Sequence, residues 1–476
     1  MEKERPVERK NGDARTACDI LIVNACVLSM DAARTIYPAG AVAVTGSTIA
    51  AVGPERTVTA AYRGRRQLDA RGAVVHPGFV DGHCHVTIHL GRGTVPDNPA
   101  VKDGFGYADW FNHLAEGDEY VQTQCAAAEM LRNGYTFFLE PGTAFEPDAV
   151  AEAAEAVGVR GSVADPFLWD VPDGGNQLVT PMARRAPCNG ARARQLLGGQ
   201  LWRNQDPRRR IRGHVALYGS GSQSEELMRA AYDCADEHRV AMNMHHNFTP
   251  EQAERDDRRF GGGHTLITFA ERKLIGPRST FVHMNAVRED EVQPILDSGM
   301  SLVWQPGNYM FYGIHGRTRT RMPELIARGA HVTFGVDAAK VWTFGDLELI
   351  GYLVARQGGE YLSTEKILEM RTVDGARAVG LEHAIGSLEP GKRADVVIRS
   401  ASAPEAVPAV NPVQELLLSG QATTVDTVLV DGEIVWRDGR PTRVDLEAVT
   451  AAGRACARSV LKRAGYTPRS TWPMAT

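Results

Sequence analysis

Eight short apolar runs, set between helix-patterned segments in residues 73–390, constrain this chain more than any other feature. They are Val74–Val80, Thr136–Glu140, Val159–Ala164, Gly213–Tyr218, Val240–Met244, Thr280–His283, Ser301–Trp304 and Val332–Val336. Segments between them, such as Glu119–Asn133, Glu225–His238 and Arg288–Ser298, carry apolar residues at i, i+3 and i+4 with charges between. Parallel strands need long crossovers, so this alternation predicts an α/β fold, a (β/α)8 TIM barrel, which commonly takes about 250 residues as one unit. Such barrels place their chemistry at the C-terminal ends of the strands. The residues that close each run are therefore the first to weigh.

The ends of the chain have a different texture. Asp19–Leu28 and Ala41–Val52 are β-branched and apolar around turn formers, with Ser47 in a turn. The pattern returns at Ala394–Arg399 and Thr424–Trp436, where Asp431-Gly432 signals a hairpin. These stretches predict a small β-sandwich-like domain built from both termini, residues 19–72 plus 391–445, beside a barrel over 73–390. Residues 1–18 read as a disordered leader and 446–476 as a C-terminal helix and tail. With 53 basic and 58 acidic residues the net charge is −5, which gives no reason to expect nucleic acid or an anionic membrane. No stretch approaches the roughly 20 apolar residues of a membrane span, and the amino terminus lacks the apolar core of a secretory signal. A cytosolic enzyme with a small-molecule substrate is expected. The seven cysteines are scattered without a Cys-x-x-Cys pair, so neither a disulfide framework nor a cysteine zinc site is indicated.

The first run ends in Asp81-Gly-His83-Cys-His85. Residues two apart on an extended chain point the same way, so His83 and His85 offer two imidazoles to one side of a divalent ion. Ligand types recur after later runs, at His245-His246, His283 and Asp337. With these in place the chain resembles the amidohydrolase superfamily, and within it the chlorohydrolase and aminohydrolase branch. The resemblance rests on His76–His85, His245, His283, Pro306-Gly-Asn308, Gly335-Val-Asp337 and Ile385–Val397, and it covers most of the chain. It implies that His83, His85, His245 and Asp337 hold one divalent ion per chain. It further implies that Asp337 is the base and that His283 polarises the atom on which charge develops. His245 is preferred to His246 because alternation along a strand turns only one inward. Three imidazoles and a carboxylate suit zinc, iron, manganese or cobalt, so the ligand list does not encode the ion; zinc is the expectation. A second ion would need a carboxylated lysine at the fourth run, and Arg212–Gly219 has no lysine. Members of the superfamily are usually dimers or larger, so a homo-oligomer is implied.

One position departs from the family pattern. Deaminases of this branch carry a glutamate three residues after the fifth-strand histidine, to move a proton onto a ring nitrogen or leaving amine; here that residue is Phe248. Glu140, His246 and Asn247 are the candidates to replace it, and Glu140 reads equally well as an outer residue that orients a ligand. A carbonyl can be activated by a metal with less need for ring protonation. The departure therefore favours hydrolysis of a C–N or carbonyl–heteroatom bond in an amide, urea or carbamate. The alternatives are deamination or dechlorination of a nitrogen heterocycle, and a catalytically inactive scaffold, which the complete ligand set opposes. Trp110, Trp304, Asn308 and Tyr309, in or beside strand-to-helix loops, are the candidate substrate contacts. No nucleotide-cofactor motif is present.

Overall fold

The computed structural model describes residues 14–95, 105–171, 185–219, 221–338, 341–419, 424–467 and 472. The expected leader lies mostly outside them, and its last residues are ordered: β1 already begins at Thr16. The amino-terminal strands are β1 (Thr16–Leu28), β2 (Ile36–Thr45), β3 (Thr48–Pro54), β4 (Tyr62–Asp69) and β5 (Val74–Pro77). The central strands are β6 (Phe79–Asp81), β7 (Tyr135–Leu139), β8 (Arg160–Val163), β9 (Ile211–Gly213), β10 (Val215–Gly219), β11 (Met242–His246), β12 (Ser279–His283), β13 (Ser301–Trp304) and β14 (His331–Phe334). The last four are β15 (Val396–Arg399), β16 (Val425–Val430), β17 (Glu433–Arg437) and β18 (Arg440–Pro441).

Strands from both ends share one nine-stranded mixed sheet, ordered β18-β17-β16-β15-β5-β1-β2-β3, with β4 on β1. Alternation explains it: Ile20, Ile22, Val42, Val44, Val396 and Leu429 are buried in one aliphatic cluster. Asp431 and Gly432 take φ of 52° and 73° between β16 and β17, as a type I′ hairpin requires.

The central strands run parallel as β6-β7-β8-β9 and β10-β11-β12-β13-β14, a TIM-barrel-like α/β arrangement. β9 and β10 flank His214, whose N–H donates to the Val163 carbonyl. At the other edge, Gly82 N–H donates to the Phe334 carbonyl, Asp337 N–H to that of His83, and His85 N–H to that of Asp337. These bonds carry the β6 edge onto β14. Helices Asp118–Arg132, Glu225–Glu237 and Glu289–Ser298 match the patterned segments within a residue or two. Among the described residues no helix is long and apolar enough to cross a membrane.

The first run is not one strand. It breaks at Gly78, so that β5 pairs with β1 and β15 while β6 pairs with β7. A Cβ at Gly78 would sit 1.9 Å from Thr136 Oγ1, so only glycine lets the chain pass from one layer to the other. The terminal sheet therefore reaches a few residues past 73. A buried ion cluster fastens the layers: Arg160 of β8 donates to Asp395 through Nε at 2.9 Å and Nη2 at 3.1 Å, and to Asp431 Oδ1 at 2.5 Å. The carboxy-terminal helix Leu446–Arg463 lies on Asp118–Arg132, with Arg463 Nε donating to the His113 carbonyl at 2.7 Å.

Candidate metal centre

The ends of β6, β11, β12 and β14 meet at one rim. His83, His85, His245 and Asp337 each turn a ligand atom to a common point, all within 4.8 Å of one another. The Nε2 atoms of His83 and His245 lie 3.2 and 3.3 Å from that of His85, and Asp337 Oδ1 lies 3.0 Å from His85 Nε2. Every Nδ1 faces an oxygen: Asn243 Oδ1 for His83 at 3.0 Å, Thr143 Oγ1 for His85 at 2.8 Å, and the Tyr218 carbonyl for His245. Placing the protons on Nδ1 leaves three Nε2 lone pairs and a carboxylate turned toward one another. A cation among them makes that arrangement favourable, and the nitrogen and oxygen donors fit one divalent ion. Burial, then the neighbouring imidazoles, holds His83 well below the ordinary histidine range. The same order of causes, burial and then His85, brings His245 down to about 4. Both are neutral imidazoles at pH 7, the form that a metal ion requires.

The backbone at this rim is bent hard. Asn247, His283, Met284 and Asp337 have φ between 50° and 72°, a region that non-glycine residues occupy at a cost of about 1–3 kcal/mol each. Asp81 holds two of the ligand segments: its Oδ1 accepts His83 N–H and its Oδ2 accepts Val336 N–H, both at 3.0 Å.

His283 lies beside the cluster, its ring 5.4 Å from that of His245. Asn308 donates from Nδ2 to Asp337 Oδ2. Glu140 is fully buried, accepting Gly142 N–H on Oε2 and both Thr143 N–H and O–H on Oε1, so it stands one residue behind His85. His246 faces away, packed against Phe269 and Phe281, and takes no part in the cluster.

Three of the expected substrate contacts are placed elsewhere. Trp304 is fully buried against Phe334, because Val303 faces the interior near Gly82 and Gly335 and sends its neighbour to the helix-facing side. Trp110 bonds Gln122 Oε1 at 2.9 Å; its neighbour Phe111 is the ring that reaches His85, at 6.4 Å. The Tyr309 hydroxyl donates to the Thr318 carbonyl and accepts Thr320 N–H. Sequence reasoning missed Asn243 and Thr143. Asn243 sits two residues before His245, so strand alternation already put it on the inward face. Tyr312 caps the C-terminal end of the short helix Pro306–Phe311, one turn after Asn308, and burial and then Asp337 push its hydroxyl pKa up. Phe248 stands between His283, at 4.5 Å, and Tyr312, at 5.4 Å.

Known proteins resemble this chain in sequence or in fold. A 5-methylthioadenosine/S-adenosylhomocysteine deaminase of Syntrophobacter fumaroxidans is 30% identical over 458 residues, 93% of this chain and 98% of its own. A 5′-deoxyadenosine deaminase of Methanosarcina mazei is 25% identical over 94% of this chain and 99% of its own. Among solved structures, an adenosine deaminase from Xanthomonas campestris with bound zinc has a TM-score of 0.82 at 23% identity, covering 94% of this chain and all of that one. A zinc-complexed atrazine chlorohydrolase from Arthrobacter aurescens has a TM-score of 0.77 at 21% identity, covering 92% of this chain and 100% of that one. The relatives' names weigh toward the deaminase alternative rather than toward ureas or carbamates. Residues 74–435, which span the whole metal rim, match the model of the amidohydrolase family, and the chain belongs to that family.

Proposed function

We propose that this metal-dependent amidohydrolase cleaves the bond from a carbonyl carbon to nitrogen or another heteroatom in a small amide, urea or carbamate. The site would sit on a closed (β/α)8 barrel. His83, His85, His245 and Asp337 would hold one divalent ion, zinc first among the candidates. Bound there, the ion supplies a Lewis acid and makes a water nucleophilic near neutral pH. Asp337 is oriented for proton transfer: Asn308 engages its Oδ2, which leaves Oδ1 toward the ligand cluster to take the proton of the attacking water. His283, on the β12 end of the rim, donates to the atom on which negative charge gathers.

The observation that carries the substrate class is Phe248. An aromatic ring lies between His283 and Tyr312, where a heteroaromatic deaminase needs an acid, and a carbonyl substrate does not require a ring nitrogen to be protonated. Phe248 and Phe111 offer apolar faces to a flat or aliphatic substituent. A second reading, deamination of an adenosine-like heterocycle, is favoured by the names of relatives that match along nearly the whole chain. It needs a proton donor other than Glu140, which is spent on Thr143 and Gly142, and other than the outward His246.

A panel separates the two. Metal-loaded enzyme is offered anilides, aryl ureas and carbamates beside 5′-deoxyadenosine, 5′-methylthioadenosine and a chlorotriazine. Turnover of the carbonyl compounds is expected, with Phe248→Glu lowering it. Ammonia released from the nucleosides by the wild type, with the carbonyl compounds untouched, would establish the second reading. No turnover by a metal-loaded protein would leave the scaffold.

A further inference from the structure

The three histidines are backed by different acceptors. His83 leans on a side-chain amide and His245 on a peptide carbonyl, both neutral. His85 alone is connected to an ionisable group. The Thr143 hydroxyl has a single hydrogen, and it points at Glu140 Oε1, 2.8 Å away. Its oxygen can therefore only accept from His85 Nδ1–H, also at 2.8 Å. That fixes the proton on Nδ1 and leaves the Nε2 lone pair for the cluster. Glu140 is fully buried; burial raises its pKa, while the Thr143 and Gly142 donors and the nearby His85 pull it back. His85 is also the hub of the set, since its Nε2 lies 3.0–3.3 Å from the ligand atom of each other member.

We infer that Glu140, acting through the Thr143 hydroxyl, sets the tautomer and donor strength of His85 and thereby the affinity and geometry of the metal centre. Both are positioning residues. The inference rests on the metal-site reading and on no choice of substrate. A hydrogen-bonded carboxylate behind a ligating imidazole makes it a better donor, and loss of such outer partners typically weakens metal binding about 10–100-fold.

The test uses the full-length chain, stripped of metal and titrated with Co(II) against a competing chelator, with the visible absorption of the bound ion recorded. Thr143→Val keeps the shape and removes the hydroxyl; it should weaken Co(II) roughly 10–100-fold and change the visible spectrum. Thr143→Ser should restore both, and Glu140→Gln, which removes the charge but keeps an acceptor oxygen, should fall between. A Thr143→Val protein with wild-type affinity and spectrum overturns the relay, as does a serine variant that loses as much as valine. If the valine variant does not fold, Glu140→Gln decides: wild-type affinity and spectrum overturn the relay, and a loss that Thr143→Ser does not share supports it. A wild type that binds no ion defeats the metal-site reading together with the relay, whereas binding that is indifferent to these substitutions defeats the relay alone.

Discussion

In the terminal sheet, many interchangeable contacts do one job; at the metal rim, each contact is single. Ile22, Val42, Val44 and Leu429 are buried together in one aliphatic cluster, and the hairpin at Asp431-Gly432 is specified by its own two residues. At the rim each bond instead has one particular partner, as His83 Nδ1 has Asn243 Oδ1 and His85 Nδ1 has Thr143 Oγ1. A sheet of this kind loses stability by degrees. A rim of this kind loses its function at once, with little cost to the fold.

The sharpest way to break that contrast is to remove a ligand. His83→Ala or Asp337→Ala should lower turnover on the order of a thousandfold or more while the far-UV spectrum and the unfolding temperature stay near wild type. Elemental analysis should find less than one ion per chain. A variant that unfolds would mean that the rim carries the fold as well. The seam between the regions comes next. Arg160→Met takes the guanidinium from buried Asp395, while Asp431 keeps Arg210 and Arg393, and should cost about 3–5 kcal/mol in urea unfolding, with metal content unchanged. Within the sheet, Leu429→Ala should cost about 2–5 kcal/mol and leave kcat intact; a matching loss of activity would show that the two regions are coupled.

The same contrast decides what could be read from the sequence. Strand periods, covering helices, the His-x-His pair and the inward choice of His245 over His246 depend on neighbours within a few residues, so they were legible. Gly78 was not, because its reason is Thr136, far along the chain. The side to which Trp304 turns is hidden for a related reason: in the short strand Ser301–Trp304, side depends on which residue faces Gly82 and Gly335, and only the assembled strands decide that for Val303. Thr143 carries no local mark of its bond to His85. Its partner Glu140 attracted notice as a carboxylate at a strand end, which is the right place for a helper of the metal but leaves its role open until the direction of one hydroxyl is known.

The smallest expected effect concerns acid, and it sharpens the contrast further. The segment after His85 is held by charge: Glu129 accepts from Arg92 and lies 3.2 Å from His89 Nε2, whereas the sheet's aliphatic cluster has nothing to titrate. Burial alone would raise the Glu129 carboxyl, but His89 and Arg92 outweigh it and bring it down to about 2. A folded pKa below the unfolded one gives stability that is complete above the unfolded value, near 4.5, and is lost as the pH falls toward 2. Wild type should therefore become easier to unfold by urea between pH 5 and pH 3, and Glu129→Gln should be less stable at pH 7 but flatter across that range. Amide exchange should locate the early loss in residues 86–92, with β1 and β2 still protected. Equal acid sensitivity in wild type and Glu129→Gln would remove this carboxylate as the cause, and early exchange in the sheet would show that acid does not distinguish the two regions.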